Sequence, residues 1–281
     1  MRGLAEYIMS GRLQAATVAV LFGLIPGMFI VSGATVALVT LRRGWSDGVQ
    51  ILLWAVLPAG LQWKLGNPGA ALILLGIMLA SLVLRSTRSW QATAVVLVLG
   101  GLCSQLSLPL QQGYLDRVGE AVNTLQTNGL ALQMVVDGEV VTANSDQLIA
   151  ALLQFYGPYQ MLMMLVCVLL GRYWQALLYN PGGFREEFHT LRFDWRLMAV
   201  LLVLVGAGLY GQAPLDEWLM MFCMVPILDG LAVLHKVVAH RSMGTTWLVL
   251  AYLLLFIAAP AFVVLGFADS VVDFRKRLVA R

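Results

Sequence analysis

Long apolar blocks, each bounded by charged or Gly/Pro-containing segments, constrain this chain more than any other feature. They run for about twenty residues each, which is the length that an α-helix needs to cross a hydrocarbon core of roughly 30 Å. Apolar residues make up 60% of the 281 positions and charged residues only 12%, whereas about a quarter of an ordinary soluble domain is charged. The blocks are Leu13–Leu41, Val49–Trp63, Ala70–Leu84, Ala92–Leu108, Leu148–Gly171, Leu197–Gly211, Trp218–Leu234 and Thr246–Phe267. The sequence therefore predicts an all-α polytopic membrane protein with eight to ten transmembrane helices.

The distribution of charge predicts which connections lie in the cytoplasm. Arg85 and Arg88 follow one apolar block, and a further group of arginines lies within 172–196. Positive charge marks the cytoplasmic side of a membrane protein. Segment 109–147 has Arg117 as its one basic residue, and we place it outside because it carries five carboxylates, Asp116, Glu120, Asp137, Glu139 and Asp146. We expect a multi-pass protein of the bacterial inner (cytoplasmic) membrane with a retained, cytoplasmic N-terminus.

The order of apolar and polar segments predicts one membrane domain with an outer cap. Residues 1–108 supply the N-terminal membrane helices, 109–147 the extracytoplasmic cap, and 148–281 the C-terminal membrane helices. Within the cap, the stretch from Gln111 to Gln126 has the pattern of a polar helix. Two short runs rich in β-forming residues then flank Asp137-Gly138, a dipeptide typical of a two-residue hairpin turn. We therefore expect a small cap built from a helix and a hairpin.

Two apolar blocks do not read as single straight helices. One helix over Leu13–Leu41 would put the arginines that flank it on opposite sides of the membrane. A break near Pro26-Gly27 keeps them all in the cytoplasm, and we favour this broken form. Each half would be about 20 Å long, which is tolerated where short helices line a protein interior. For Thr246–Phe267, either a break at Ala258-Ala259-Pro260 returns the basic tail to the cytoplasm or the tail lies on the outer surface.

A charge-dense island, Tyr179–Arg196, separates two of the apolar blocks. Its Pro-Gly-Gly sequence ends the preceding helix, because proline has no N–H to donate and glycine is conformationally free. Phe184, Phe188 and Leu191 then recur at helical spacing with charged residues between them, a pattern typical of a short helix on the membrane surface. We predict a cytoplasmic interfacial helix within 180–196. Its entry motif is Asn180, Pro181, Gly182, Gly183, Phe184 and Arg185.

A small residue at every fourth position marks the first apolar block. The residues of this ladder are Gly11, Ala15, Ala19, Gly23 and Gly27. On a helix, that spacing leaves a groove without bulky side chains, so another backbone can approach closely. The groove predicts helix docking, either within this protein or onto a separate subunit.

Asp229 is the carboxylate that lies clearly inside an apolar block. A charge near the middle of a membrane span is costly, so it faces the bundle interior, finds a partner, and often marks a substrate or ion path. Arg172, Arg196 and Lys236 are the partners that the sequence offers. We predict an intramembrane polar site at Asp229, paired or hydrogen-bonded inside the protein.

No pattern in the chain indicates catalysis, a cofactor or a metal. His235 and His240 are five residues apart and point about 140° apart on a helix, so they do not converge. The three cysteines each lie alone in an apolar run, and there is no Walker loop, G-x-S-x-G or dinucleotide fingerprint. We predict neither an enzyme nor a nucleic-acid partner, and expect the lipid bilayer, another membrane subunit or a small-molecule ligand instead.

Three motifs together resemble a known family: Leu41-Arg42-Arg43-Gly44, then Tyr179-Asn180-Pro181-Gly182-Gly183-Phe184-Arg185, then Ala268-Asp269-Ser270 with Asp273-Phe274-Arg275. With the apolar blocks, they resemble the proteobacterial branch of the YybS-like predicted bacterial membrane proteins, over essentially the whole chain. That family is distantly similar to the S-components of energy-coupling-factor vitamin transporters. The resemblance implies docking on a partner through an Ala-x-x-x-Ala pattern, which Ala15 and Ala19 match.

Two functions follow as alternatives. The first is S-component-like capture or transport of a small molecule, which requires a polar-lined cavity open to the outside. The second is a structural or regulatory subunit of a larger membrane assembly, which predicts a filled bundle whose small-residue ladder faces outward.

Overall fold

A computed structural model of the protein describes residues 1–25, 27–64, 68–128, 133–136 and 139–279. Within these residues the chain forms α-helices joined by short turns, one 3-10 turn at Leu108–Leu110, and one two-stranded hairpin. The helices are α1 (Arg2–Ser10), α2 (Arg12–Leu24), α3 (Phe29–Arg43), α4 (Trp45–Lys64), α5 (Gly69–Thr87), α6 (Trp90–Leu106), α7 (Gln112–Thr127), α8 (Ser145–Gln154), α9 (Tyr156–Tyr179), α10 (Gly183–Thr190), α11 (Trp195–Leu209), α12 (Leu215–His240), α13 (Thr246–Leu253), α14 (Leu255–Val272) and α15 (Phe274–Val279). The protein is therefore an all-α polytopic membrane protein, as predicted.

Fewer helices are long enough to cross a membrane than the apolar blocks indicate. In the described part of the chain, three helical stretches meet the length and composition of a span, namely Gly69–Thr87, Ser145–Tyr179 and Leu215–His240. The pair α13 and α14 gives a fourth if the two are one bent span. Three further apolar helices, Arg12–Leu24, Trp90–Leu106 and Trp195–Leu209, are shorter. By length and composition, the described residues thus contain three or four full-length spans, fewer than the eight to ten transmembrane helices predicted.

The first apolar block folds as a helical hairpin. Helix α2 ends at Leu24 and α3 begins at Phe29, so the predicted break is confirmed; Pro26 itself lies outside the described residues. Gly27 adopts a φ of +80°, a left-handed conformation that glycine adopts at little cost. The two helices pack together, and Asp47 pairs with Arg12 at 2.7 Å and with Arg43 at 3.5 Å. Both flanking arginines therefore lie at one end of the bundle.

Helix α3 forms the centre of the N-terminal bundle, where it packs against α2, α4, α5 and α9. Every residue from Ser32 to Leu41 is buried. Its approach to α9 is close, because a Cβ placed on Gly171 would lie 3.0 Å from the backbone nitrogen of Leu38. Small residues at this crossing allow two helix backbones to come together, as is common in membrane bundles.

The C-terminal helices contain a sharp bend. Helix α13 ends at Leu253, and the following helix runs at 110° to it. The break therefore falls at Leu254 rather than at Ala258-Ala259-Pro260, and Pro260 lies inside α14. Membrane helices tolerate proline because neighbouring helices and local adjustments satisfy the freed carbonyl. Helices α12 and α14 then pack so closely that a Cβ on Gly266 would meet the carbonyl of Pro226.

Helix α7 and the hairpin form a cap at one end of the bundle. The predicted helix from Gln111 to Gln126 is found as Gln112–Thr127. Strands β1 (Gln133–Val136) and β2 (Glu139–Thr142) pair antiparallel, and the turn predicted at Asp137-Gly138 lies outside the described residues. A small apolar cluster of Val122, Ala143 and Leu148 holds α7 to α8. We name this the cap end; the opposite end, which carries α10, is the island end.

Candidate functional site

A cavity of about 410 Å³ lies at the cap end, where α3, α5 and α9 begin. Residues in the first two turns of these helices line it, together with Gln62 of α4, and Tyr114 of α7 lines it from the cap. Among the described lining residues no side chain is charged: they are Gly27, Phe29, Ile30, Gln62, Gly69, Ala70, Ile73, Tyr114, Tyr156, Tyr159, Gln160 and Met163. The break between α2 and α3 contributes to the opening, because it leaves Gly27 at the rim instead of a continuous helix.

Aromatic contacts hold the cap helix over this cavity. The rings of Tyr114 and Tyr156 lie 5.1 Å apart, and the Tyr156 hydroxyl donates a hydrogen bond of 2.9 Å to Gln111 Oε1. Burial raises the pKa of Tyr114 above its ordinary value, and the neighbouring Tyr156 and Tyr159 raise it further. The Tyr114 phenol therefore stays protonated and neutral, so it can donate a hydrogen bond into the cavity at physiological pH.

The start of α9 is fixed by a buried amide. Gln105 Oε1 accepts a 2.7 Å hydrogen bond from the N–H of Gly157, which is one of the N–H groups at the helix start that lack an intrahelical partner. Gln105 Nε2 donates in turn to the carbonyl of Leu153 at 3.2 Å. This side chain anchors the turn from which the cavity residues of α9 project.

Gln160 is the most distinctive residue of the cavity. Its side chain is buried, with 2% of the residue exposed, and it lines the cavity from the second turn of α9. Its Oε1 accepts no hydrogen bond from any described residue. A buried acceptor left unsatisfied costs about 1–3 kcal/mol. The cavity thus combines aromatic walls and neutral donors with a buried amide beside the Tyr156 phenol, and no described residue donates a hydrogen bond to the Oε1 of that amide. This combination suits an uncharged ligand that donates a hydrogen bond.

The residues of this cavity are not marked by any strong pattern in the sequence. Gln160 interrupts an apolar block just as Asp229 does, and Tyr156 and Tyr159 stand within one turn of it. An uncharged amide is a weaker signal than a carboxylate, because its insertion costs less. Gln160 and Tyr114 come close together only because the cap folds back over the bundle, and no local sequence pattern predicts that arrangement.

Asp229 lies inside the bundle, as predicted, but its partner is different. Its residue exposure is 0%, and its Oδ1 accepts a hydrogen bond from the guanidinium of Arg275. The candidate partners Arg172, Arg196 and Lys236 are wrong, because the basic residue arrives from the C-terminal α15. Arg275 also donates to the carbonyl of Leu191, within the island. The tail therefore returns to the island end, as the broken form of the last apolar block requires, although the break lies at Leu254 and not at Ala258-Ala259-Pro260.

A second carboxylate joins this buried pair. Asp269 of α14 is fully buried, and its Oδ2 lies 3.4 Å from Arg275 and 3.8 Å from Arg192. Arg192 also donates to Asp273 at 3.1 Å. The carboxylates are thus neutralised by arginines from the island and the C-terminus. This geometry favours a structural role for Asp229, which ties α12, α14 and α15 to the island.

The small-residue ladder packs within the protein. Ala15 and Ala19 are buried, and the carbonyl of Ala19 accepts a 2.7 Å hydrogen bond from Ser32 of α3. A Cβ on Gly23 would lie 2.6 Å from the ring of Pro58 in α4. Gly11 and Gly27 are not part of the docked face: Gly11 separates α1 from α2, and Gly27 lies at the exposed break. Of the five ladder residues, only Ala15, Ala19 and Gly23 therefore dock against other helices, and those helices belong to this protein.

The island contains the predicted short helix, α10, over Gly183–Thr190. Gly182 adopts a φ of +89°, and Phe184 stacks against Phe188 at 6.1 Å between ring centroids. Asn180, Pro181 and Arg185 lie at the exposed surface around this turn. Glu187 faces inward instead and accepts hydrogen bonds from Arg172 and from Trp90 Nε1. The entry motif thus forms the turn, whereas Glu187 holds α10 against α9 and α6.

His235 lies edge-on against the rings of Phe188 and Tyr252, at 5.1 and 5.8 Å between ring centroids. His235 Nε2 lies 3.0 Å from the Tyr252 hydroxyl. No group of three or more His, Cys, Asp or Glu residues in the described ranges has the arrangement to hold a metal ion. Burial, followed by the neighbouring Arg185, lowers the pKa of His189 in the interfacial helix, so this imidazole is mainly neutral at pH 7.

Comparison of the chain with protein-family models, with curated proteins and with solved structures gave no match. The resemblance to YybS-like proteins therefore stays a prediction.

Proposed function

We propose that the protein is an S-component-like capture protein of the bacterial inner membrane, which binds an uncharged small molecule in the cap-end cavity. The ligand carries aromatic or apolar surface together with at least one hydrogen-bond donor. The volume of about 410 Å³ lies in the range of small-molecule sites, roughly 300–1,000 Å³. By the positive-inside rule the cap end faces outward, since the arginines collect at the other end.

The buried Oε1 of Gln160, which accepts no hydrogen bond from the described residues, is the observation that supports this proposal most directly. A bundle that served only as a scaffold would gain stability from an apolar residue at this position, because an unsatisfied amide oxygen is destabilising. A ligand that donates to Oε1 removes that cost in the bound state. Because none of the described lining residues is charged, the cavity disfavours an ion as substrate.

The alternative, a structural or regulatory subunit, loses its most specific support. It relied on the small-residue ladder as an outward-facing contact, and Ala15, Ala19 and Gly23 pack against α3 and α4 instead.

Native mass spectrometry of gently extracted protein tests the capture proposal. The wild type should retain a small-molecule mass, and Gln160→Leu should lower its occupancy at least about tenfold, because a buried hydrogen bond is lost. The same variant should keep or slightly raise its thermal stability, since it removes an unsatisfied acceptor. Gln50→Leu, a matched change at an exposed position of α4, should leave occupancy unchanged.

Two results would contradict the proposal. One is a wild-type protein that carries no small molecule after extraction by several mild detergents. The other is equal occupancy in the wild type and in Gln160→Leu, which would place the bound molecule elsewhere.

A further inference from the structure

A second cavity, of about 590 Å³, lies at the island end and differs sharply in charge from the first. It opens between the last turns of α3 and α5 and the part of α9 that the charge pattern predicts to face the cytoplasm. Among the described residues that line it, four are arginines, Arg42, Arg85, Arg88 and Arg172, and one, Glu187, is a carboxylate. The lining residues therefore carry a formal charge of +3, four positive against one negative.

The one carboxylate is already fully engaged. Arg172 donates to Glu187 Oε2 through Nε at 2.9 Å and through Nη2 at 2.6 Å, and Trp90 Nε1 donates to Glu187 Oε1 at 2.6 Å. Arg172 and Glu187 thus form a neutral wall. Arg42, Arg85 and Arg88 have no carboxylate within 4.0 Å among the residues that the structure describes. Their charges are left uncompensated around one cavity.

Two of these arginines are held in position by groups other than acids. Arg85 Nη1 donates to the carbonyl of Leu41 at 2.6 Å. The guanidinium of Arg42 lies over the ring of Tyr179, 4.0 Å from its centroid. Stacking uses the face of a guanidinium and leaves its in-plane N–H donors available for a ligand. The site is therefore partly preorganised.

Arg88 has an unusual backbone conformation. It is the residue that ends α5, and it has a φ of +54°, where glycine is the usual choice. Arginines near helix ends commonly neutralise the helix dipole by bonding the last carbonyls, and Arg85 does so. The side chains of Arg42 and Arg88 make no hydrogen bond to any described residue, so this ordinary role does not account for them.

We propose that this cavity binds a phosphate-bearing anion, with Arg42, Arg85 and Arg88 as its donors. The planar fork of arginine matches phosphate oxygens two at a time, and three uncompensated guanidiniums favour a ligand of more than one negative charge or several oxygens. Basic pockets between membrane helices on the cytoplasmic side bind lipid headgroups, and a free phosphate compound offers the same chemistry. The proposal is independent of ligand capture at the cap end.

The test compares two double variants that remove equal charge from the same end of the bundle. The double variant Arg42→Gln/Arg88→Gln removes two guanidinium groups from the cavity. Neither group makes a hydrogen bond to a described residue of the protein. Arg185→Gln/Arg241→Gln, the matched control, removes two exposed arginines that do not line the cavity. One arm counts phosphatidylglycerol against phosphatidylcholine retained in native mass spectrometry. The other arm titrates inorganic pyrophosphate by calorimetry at constant ionic strength.

We expect the wild type and the control to bind in at least one arm, and the cavity variant to bind at least about tenfold more weakly there. Binding in the lipid arm alone identifies a headgroup as the ligand, and binding of pyrophosphate alone identifies a free phosphate compound. An equal loss in both double variants would overturn the proposal, because only the overall charge would matter. Absence of wild-type binding in both arms would overturn it as well. Arg88→Gln alone, at an exposed turn, supports the same comparison if the double variant fails to fold.

Discussion

A single arginine at residue 275 holds together parts of the chain that are far apart in sequence. Its guanidinium contacts the carboxylates of Asp229 and Asp269 and the carbonyl of Leu191. The sequence indicates that Asp229 is buried and paired, because an unpaired carboxylate inside an apolar block is energetically costly. It could not identify the partner, since Arg275 is 46 positions away and reaches Asp229 only after α14 folds back.

This contact predicts how three substitutions rank in the stability that each one costs. Arg275→Gln leaves two buried carboxylates without their shared cation and should cost about 3–5 kcal/mol. Asp229→Asn should cost less, about 1–3 kcal/mol, because Arg275 keeps Asp269 as a partner. Lys276→Gln, the neighbouring exposed residue, should change stability by less than about 1 kcal/mol. Thermal and denaturant unfolding of purified protein measure all three. Similar values for Arg275→Gln and Lys276→Gln would show that the buried pair adds little.

At the scale of elements, helix breaks decide the architecture. The break in the first apolar block was predictable for two reasons. Proline and glycine occur together there, and the flanking arginines lie on one side of the membrane only if the chain turns back. The break in the last block was predictable as an alternative but misplaced by four residues, since Pro260 is accommodated inside α14 while the bend falls at Leu254. Proline marks a break reliably only where no neighbouring helix compensates for its missing N–H.

The hairpin of α2 and α3 depends on a small residue at its contact. Ala19→Leu should force the two backbones apart and cost about 1–3 kcal/mol, because the site is fully buried. Thr17→Leu places the same side chain on the exposed face of α2 and should have little effect. Unfolding in matched detergent distinguishes the two variants. Equal stability of Ala19→Leu and wild type would mean that the crossing has room that the structure does not show.

At the scale of the whole molecule, the two ends of the bundle have opposite chemistry. The cap end holds an uncharged, tyrosine-lined cavity, whereas the island end gathers the uncompensated arginines and the buried ion network. The sequence motifs behind the family resemblance also meet at the island end. Arg42 of the first motif stacks on Tyr179 of the second, and Arg275 of the third lies against Leu191 just beyond the second. The motifs are thus linked by folding, which their separation along the chain conceals.

This polarity yields a prediction about membrane orientation. Asn128 lies at the end of α7 in the cap, and Thr190 at the end of α10. Helix α9, about 36 Å long at 1.5 Å per residue, runs from the cap end to the island end, so the two positions belong on opposite sides of a bilayer. In a background without Cys103, Cys167 and Cys223, cysteine introduced at position 128 should react with an impermeant reagent in intact cells. Cysteine at position 190 should react only after the membrane is opened, because the positive-inside rule predicts that the arginine-rich island end faces the cytoplasm. Labelling of position 190 alone in intact cells would invert the orientation and place the neutral cavity inside. Labelling of both positions would contradict the fold itself.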